Sequence, residues 1–311
     1  MISLIPFLLS LALSLLIYPS AIRALEERKF VGLDVHSKRY IPEAGGIVVV
    51  VCFLIFSLLS MVFFEVNETA YLSAVLTILF MSFIGLVDNL MSIRQWQKML
   101  IPLIAALPLV VLKEGVTTMA LPFIGAVDFG IFYTFLLIPV GVSVASNLSN
   151  MLAGYNGLET GVGLVILLAL MLFCYINGYT EGVLIAGALA GAQLSLFIFN
   201  IYPARVFPGD VGTLTVGAAA ASLSIIGNFE GFAAMLFIPH AVDFFIKAAN
   251  KFPHSIMQDE VKDGIIVPKK VYGFTQLALK LKPMTERQLA YAFIAMEIIV
   301  ALAAFAVYLK P

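Results

Sequence analysis

The segment NLSNMLAGYNGLETG, residues 147–161, places Asn147, Asn150, Asn156 and Glu159 among three glycines, with long apolar stretches on either side. Polar groups at such a boundary are costly unless they are paired, or face water or a ligand. This makes the loop the first candidate for an active centre. Asparagine oxygens can ligate a hard cation, and asparagine amides can read a ligand. The same three asparagines could instead cap helices and close turns, Asn156-Gly157 being a strong turn pair. Asp210, in PGDVG ahead of an apolar run, is either a helix N-cap or a metal ligand at a helix N-terminus. Asp88 and Asn89 close another apolar run, where an acid opposes the helix dipole and so suggests a task. Lys98 lies in a loop where positive charge is expected anyway. His240 and Asp243, three residues apart, share a helix face as an internal pair or as site residues. Glu297 sits inside the last apolar run with no partner named by the sequence.

The elements that must hold these residues are membrane spans. Of 311 residues, 61% are hydrophobic and only 12% charged, and mean hydropathy is +1.04. Soluble domains carry about 25% charged residues. The formal net charge of −1 gives no sign of nucleic-acid binding. Both cysteines, Cys52 and Cys174, fall in apolar runs and read as packed thiols, not as a disulfide framework. The apolar stretch Ile2–Tyr18 lacks a basic start and a small-residue cleavage site, so it reads as a retained first span.

Apolar runs at 2–22, 44–64, 70–88, 99–113, 131–148, 161–177, 182–201, 211–228, 231–247 and 289–309 predict about ten spanning helices in a single all-α domain covering 1–311. Pro102 and Pro108 predict a kink in the short 99–113 run. One set of loops carries most of the Lys and Arg, while the opposite set carries only Lys113 and Lys310. The positive-inside rule makes the first set cytoplasmic and puts both termini outside. Residues 116–130 suit a short external β-hairpin. VKDGIIVPKK, in the long loop 248–288, suits another with Asp263-Gly264 at its turn.

In this topology the unusual polar residues gather on one face. GLDVHSKRYIPEAGG (32–46), GLVDN (85–89), SIRQWQK (92–98), the asparagine loop, RVFPGDVGTLTVG (205–217), PHAVD (239–243) and KFPHS (251–255) all fall at cytoplasmic helix ends or loops. A secondary transporter or flippase would place charge near the midplane of broken helices, and only Glu297 serves that reading. Asp210 with an asparagine oxygen suits Mg²⁺, which takes few protein oxygens and completes its shell with water and phosphate; Mn²⁺ takes similar donors. Lys98 can offset charge that develops in phosphoryl transfer. The residues therefore point to a metal-dependent phosphoryl-transfer enzyme whose cleft opens to cytosol and lipid.

These motifs resemble those of the polyprenyl-phosphate N-acetylhexosamine-1-phosphate transferases, and the branch using UDP-GlcNAc and dolichyl phosphate most. The likeness is carried by IPEAGG (41–46), GLVDN, RQWQK with the following LIPLIAALPL, NMLAGYNGLE (150–159) and FPGD (207–210), and it covers nearly the whole chain. The resemblance implies that Asn150 and Asp210 ligate Mg²⁺, that Lys98 holds the phosphates, and that Asp88 lies near the lipid phosphate. It implies that Asn147, Asn156 and Glu159 shape the nucleotide pocket, and that Glu43, Lys38 and Arg39 border the site. It also implies UDP-GlcNAc and a polyprenyl phosphate as substrates, a lipid environment, an archaeal-type plasma-membrane location, and a homodimer as an allowed assembly. The chain departs from the family pattern in two places. Asn89 stands where a second acid is common, and the long loop retains only His254, followed by Ser255 and no arginine.

Overall fold

A long apolar segment in lipid can satisfy its backbone only internally, and here that takes the form of helices. The computed structural model describes residues 4–91, 93–121, 125–252 and 259–309. Within these, α1 (Ile5–Glu27), α2 (Gly46–Phe63) and α3 (Glu68–Met91) form the first three spans. Short helices α4 (Gln95–Ala105) and α5 (Leu107–Val111) follow. A π-helical turn at Tyr133–Leu137 runs into α6 (Ile138–Met151). Next come α7 (Leu158–Ile176), α8 (Thr180–Asn200), α9 (Gly209–Gly227), α10 (Glu230–Leu236), α11 (Ile238–Ala249), α12 (Phe274–Leu281) and α13 (Glu286–Tyr308).

Among the described residues, eight helices are long and apolar enough to cross a membrane, or nine if α10 and α11, bent by 60°, make one span. The 99–113 run, expected as one kinked span, is divided at Ala106 into α4 and α5, with Pro108 in the first turn of α5. It still joins the two ends of the bundle: Lys98 meets Asp210 at the start of α9, and the Val116 N–H meets Asn228 just beyond its end. Proline suits a first turn, so the interruption falls just before Pro108, while Pro102 is carried inside α4.

The fold is not purely helical. Among the described residues, three two-stranded antiparallel sheets decorate the bundle ends. The 116–130 hairpin is present as β3 (Thr118–Leu121) with β4 (Gly125–Asp128). The second expected hairpin is β5 (Glu260–Lys262) with β6 (Ile265–Val267), and Asp263 and Gly264 both take positive φ at its turn. A further hairpin, β1 (Val31–Leu33) with β2 (Tyr40–Pro42), folds the first polar loop back on itself. Three-residue strands in a polar loop leave almost no period-two signal, which is why the sequence did not announce it.

The middle of the bundle is α8 and α9. In each, 83% of the apolar window is buried, against 22% of α1 and 28% of α13. Small residues make this possible. A Cβ at Gly85 of α3 would lie 2.6 Å from the Asp210 carbonyl oxygen, and one at Gly46 of α2 would lie 2.4 Å from the Gly212 backbone. The N-terminal end of α9 is thus wedged between α2 and α3 at backbone contact distance. Cys52 and Cys174 are free and buried, as expected.

Candidate active site

The first turn of α9 carries Asp210, the last turn of α3 carries Asp88, and α4 brings Lys98 between them. The Lys98 ammonium donates to Asp210 Oδ2 at 3.2 Å and pairs more closely still with Asp88 Oδ2. Asp210 is not the N-cap; Pro208 holds that position, and Asp210 lies inside the turn, where the helix dipole favours an anion. Asp88 Oδ1 accepts from the Ile93 N–H at 2.9 Å, which fixes the chain leaving α3 on its way to α4. Lys98 is half-buried. Burial works against its charge, but the hydrogen bond to Asp88 and the charge of Asp210 outweigh it and raise its pKa above the usual lysine value.

The asparagines act around this trio in different ways. Asn89 Oδ1 accepts the Val211 N–H at 3.1 Å, taking up one of the free donors of the first turn of α9. Asn147 donates to the Lys98 carbonyl at 3.2 Å and to the Ser143 carbonyl at 2.8 Å, tying α6 to the backbone of Lys98. Asn150 Oδ1 accepts from the Thr213 hydroxyl at 3.1 Å, three residues beyond Asp210 on the same helix. Asn150 and Asp210 are therefore both referenced to the first turns of α9. The donor set around Lys98 is oxygen only, and its two carboxylates already converge on one cation. Such a set fits Mg²⁺, which needs one or two protein carboxylates and leaves other positions to water and phosphate.

Other expected residues lie elsewhere. Asn156 is 4% exposed. Its N–H donates to Glu286 Oε1 at 2.7 Å and its amide to Asp34 Oδ2 at 3.2 Å, so it is held within the protein. Glu159, in the first turn of α7, has a buried Oε2 without a hydrogen-bond partner among the described residues. Glu43 lies beside Gly32 and Phe207, and burial raises its pKa above the usual carboxylate value. Lys38 and Arg39 are exposed, with no ion pair among the described residues. His254 lies outside the described residues. His240 and Asp243 are both buried but do not pair. Asp243 binds Lys247 at 2.7 Å and the Phe274 N–H at 2.8 Å, because the lysine one turn on is a better partner for a buried acid. Glu297 is fully buried, with neither oxygen partnered among the described residues.

Four residues that the motifs did not single out anchor the loop from its back. Lys247 donates to the Met151 carbonyl, one residue after Asn150. Asn200 Oδ1 accepts the Gly157 N–H at 3.0 Å. Asp34 and Glu286 hold Asn156, as above. The one sequence signal that could have found Glu286 is the TERQ start of α13, where Thr285 and Gln288 form a capping box.

A helical membrane bundle with a carboxylate–lysine–carboxylate cluster at its helix ends is the frame of an integral-membrane enzyme. The description "Glycosyl transferase family 4" matches residues 71–228, a stretch that contains Asp88, Lys98, Asn150 and Asp210. A Saccharolobus solfataricus relative, provisionally described as a UDP-N-acetylglucosamine–dolichyl-phosphate N-acetylglucosaminephosphotransferase, is 33% identical over 97% of this chain and 95% of its own length. The Dictyostelium discoideum protein of that name is 27% identical over 87% of this chain and 79% of its own. A phospho-N-acetylmuramoyl-pentapeptide-transferase from Halalkalibacterium halodurans is 28% identical over 73% of this chain and 75% of its own. The chain belongs to glycosyl transferase family 4.

Proposed function

We propose that this protein transfers GlcNAc-1-phosphate from UDP-GlcNAc to a polyprenyl phosphate of the dolichyl type. The products are lipid-diphosphate-GlcNAc and UMP, and this would be the first lipid-linked step of glycan assembly such as N-glycosylation. The observation that carries the reading is one lysine shared by two carboxylates, at the junction of α3, α4 and α9. The names of the relatives supply the substrates. The lysine-rich loops at this end of the bundle support a cytoplasmic site in a plasma membrane, with both termini outside.

In this reading an oxygen of the lipid phosphate attacks the β-phosphorus of the sugar nucleotide. A new P–O bond forms, and the bond to the oxygen bridging the α- and β-phosphates breaks, leaving UMP. A phosphate monoester has a second pKa of about 6, so much of it is dianionic at neutral pH and scarcely needs a base. Asp88, already engaged with Lys98 and the Ile93 N–H, therefore acts as a positioning group. Lys98 stabilises charge building on the transferred phosphate. Asn147 fixes the lysine's backbone. Asp210 and Asn150 would hold Mg²⁺, or Mn²⁺ in its place, which supplies charge neutralisation on the pyrophosphate when bound.

The test is purified protein with a panel of radiolabelled UDP-sugars and two polyprenyl phosphates, with and without chelator. Labelled lipid from UDP-GlcNAc, lost with chelator and restored by Mg²⁺, supports the reading. Label from another UDP-sugar alone would overturn the donor assignment. A two-step path through an aspartyl-phosphate predicts UMP/UDP-GlcNAc exchange without lipid; direct transfer predicts none.

A further inference from the structure

Behind the asparagine loop lies a second cluster, built around His36. Its ring stacks on Tyr155 at 5.3 Å and 12°, and its side chain is 6% exposed. Carboxyl groups approach it from three parts of the chain. Glu286, at the start of α13, lies 3.6 Å from Nδ1. Asp34, on the turn between β1 and β2, accepts the His36 and Ser37 N–H groups at 3.0 and 3.1 Å. Asp259, just before β5, accepts from the Tyr155 hydroxyl at 2.6 Å and from Gln276 of α12 at 3.1 Å. Glu159, in the first turn of α7, is near enough to Glu286 to feel its charge. No Lys or Arg among the described residues pairs with any of these acids.

Two of the acids do a second job. Glu286 Oε1 accepts the Asn156 N–H, and Asp34 Oδ2 accepts the Asn156 side-chain amide. The turn that follows Asn150 is thus hung from carboxylates whose one ion-pair partner among the described residues is a histidine. Converging buried carboxylates without a counter-charge repel one another. Repulsion between these two would draw apart the oxygens from which Asn156 hangs. We propose that His36 in its imidazolium form is a positioning residue, a charge clamp that offsets the repulsion between Asp34 and Glu286 and so holds Asn156 and the GYNG turn in place for the nucleotide.

The clamp has a direction in pH. Burial alone would lower the His36 pKa, but the adjacent Glu286 carboxylate, with Asp34 and Asp259, raises it above the ordinary histidine value. A raised value means that the clamp is complete below the ordinary histidine pKa and is lost as pH rises through the raised one. The proposal rests on the UDP-sugar reading for its ligand, but not for its geometry.

Two measurements decide it, both on the full chain in detergent. The first needs no substrate. The chain has three histidines, so labelled imidazole resonances can be titrated from about pH 5.5 to about 9, with His36→Gln as the assignment. His36 should titrate above the ordinary histidine value, and lower in Glu286→Gln than in the wild type. Amide exchange of residues 154–158, corrected for its intrinsic pH dependence, should quicken through the same titration in the wild type alone. Titration of His36 at or below the ordinary value, or loop protection blind to it, would overturn the clamp. The second is KM for UDP-GlcNAc against pH. It should rise about tenfold across that titration with kcat changing much less, and stay high and flat in His36→Gln. An unchanged inflection in His36→Gln would also overturn the clamp. If UDP-GlcNAc is not a substrate at all, the function reading fails, and the first measurement still decides the clamp.

Discussion

Lys98 makes contacts with two acids and one asparagine, and each contact has a different consequence on removal. Lys98→Ala takes the cation from between Asp88 and Asp210 and should lower kcat by about 10²–10³ with a smaller change in KM. A pure KM effect in steady-state lipid-product assays would reassign it to ground-state binding. Asp210→Ala should abolish Mg²⁺-dependent transfer while the protein still elutes as a folded species in detergent; near-normal turnover would sink the metal assignment. Asn89→Asp is expected to be mild, within about tenfold in kcat/KM, since a carboxylate can accept the Val211 N–H as the amide does. These side chains were legible because acids, lysine and asparagines stand out in apolar sequence. His36 and Asp34 were not. They sat inside a quoted motif, but their importance comes from Glu286, some 250 residues away in sequence, and no spacing rule reports such a meeting.

At the scale of the element, the site depends on how closely helices approach. Gly85 lies one turn before Asp88 and has no room for a methyl group against Asp210. Gly85→Ala should separate α3 from α9, pull Asp88 from Lys98, and cost at least tenfold in turnover with a lowered melting temperature. Full activity with unchanged stability would show that the two helices have slack. The spans themselves were readable as apolar runs of sufficient length, and the 260–267 hairpin as an Asp-Gly turn between short strands. The break at Ala106 was half-readable: prolines forecast a bend, but whether a helix bends or ends is decided by what packs around it. The β1–β2 hairpin was hidden, since its strands are only three residues long.

For the whole molecule, the two tight hairpins give a test of orientation. β3–β4 and β5–β6 stand at opposite ends of the bundle in the proposed topology, with the second beside the active site. With the buried Cys52 and Cys174 replaced by serine, a cysteine at Gly125 should react with an impermeant maleimide in intact cells. One at Asp263 should react only after the membrane is opened. The reverse pattern would invert the chain and put the site outside. The positive-inside count predicts this arrangement from loops alone, and it relies on the 99–113 run crossing, as α4 and α5 do in joining Lys98 at one end of α9 to Val116 at the other.

The burial of α9 has one more implication, a kinematic one. A helix enclosed along 83% of its apolar window, with glycines wedged against both neighbours, has no free direction in which to slide or tilt. Asp210 is therefore a fixed datum. Lys98, by contrast, rides on an 11-residue helix that ends at the Ala106 break. If the ammonium must leave its carboxylates to meet an incoming phosphate, the travel belongs to α4, and the acids stay where the bundle holds them.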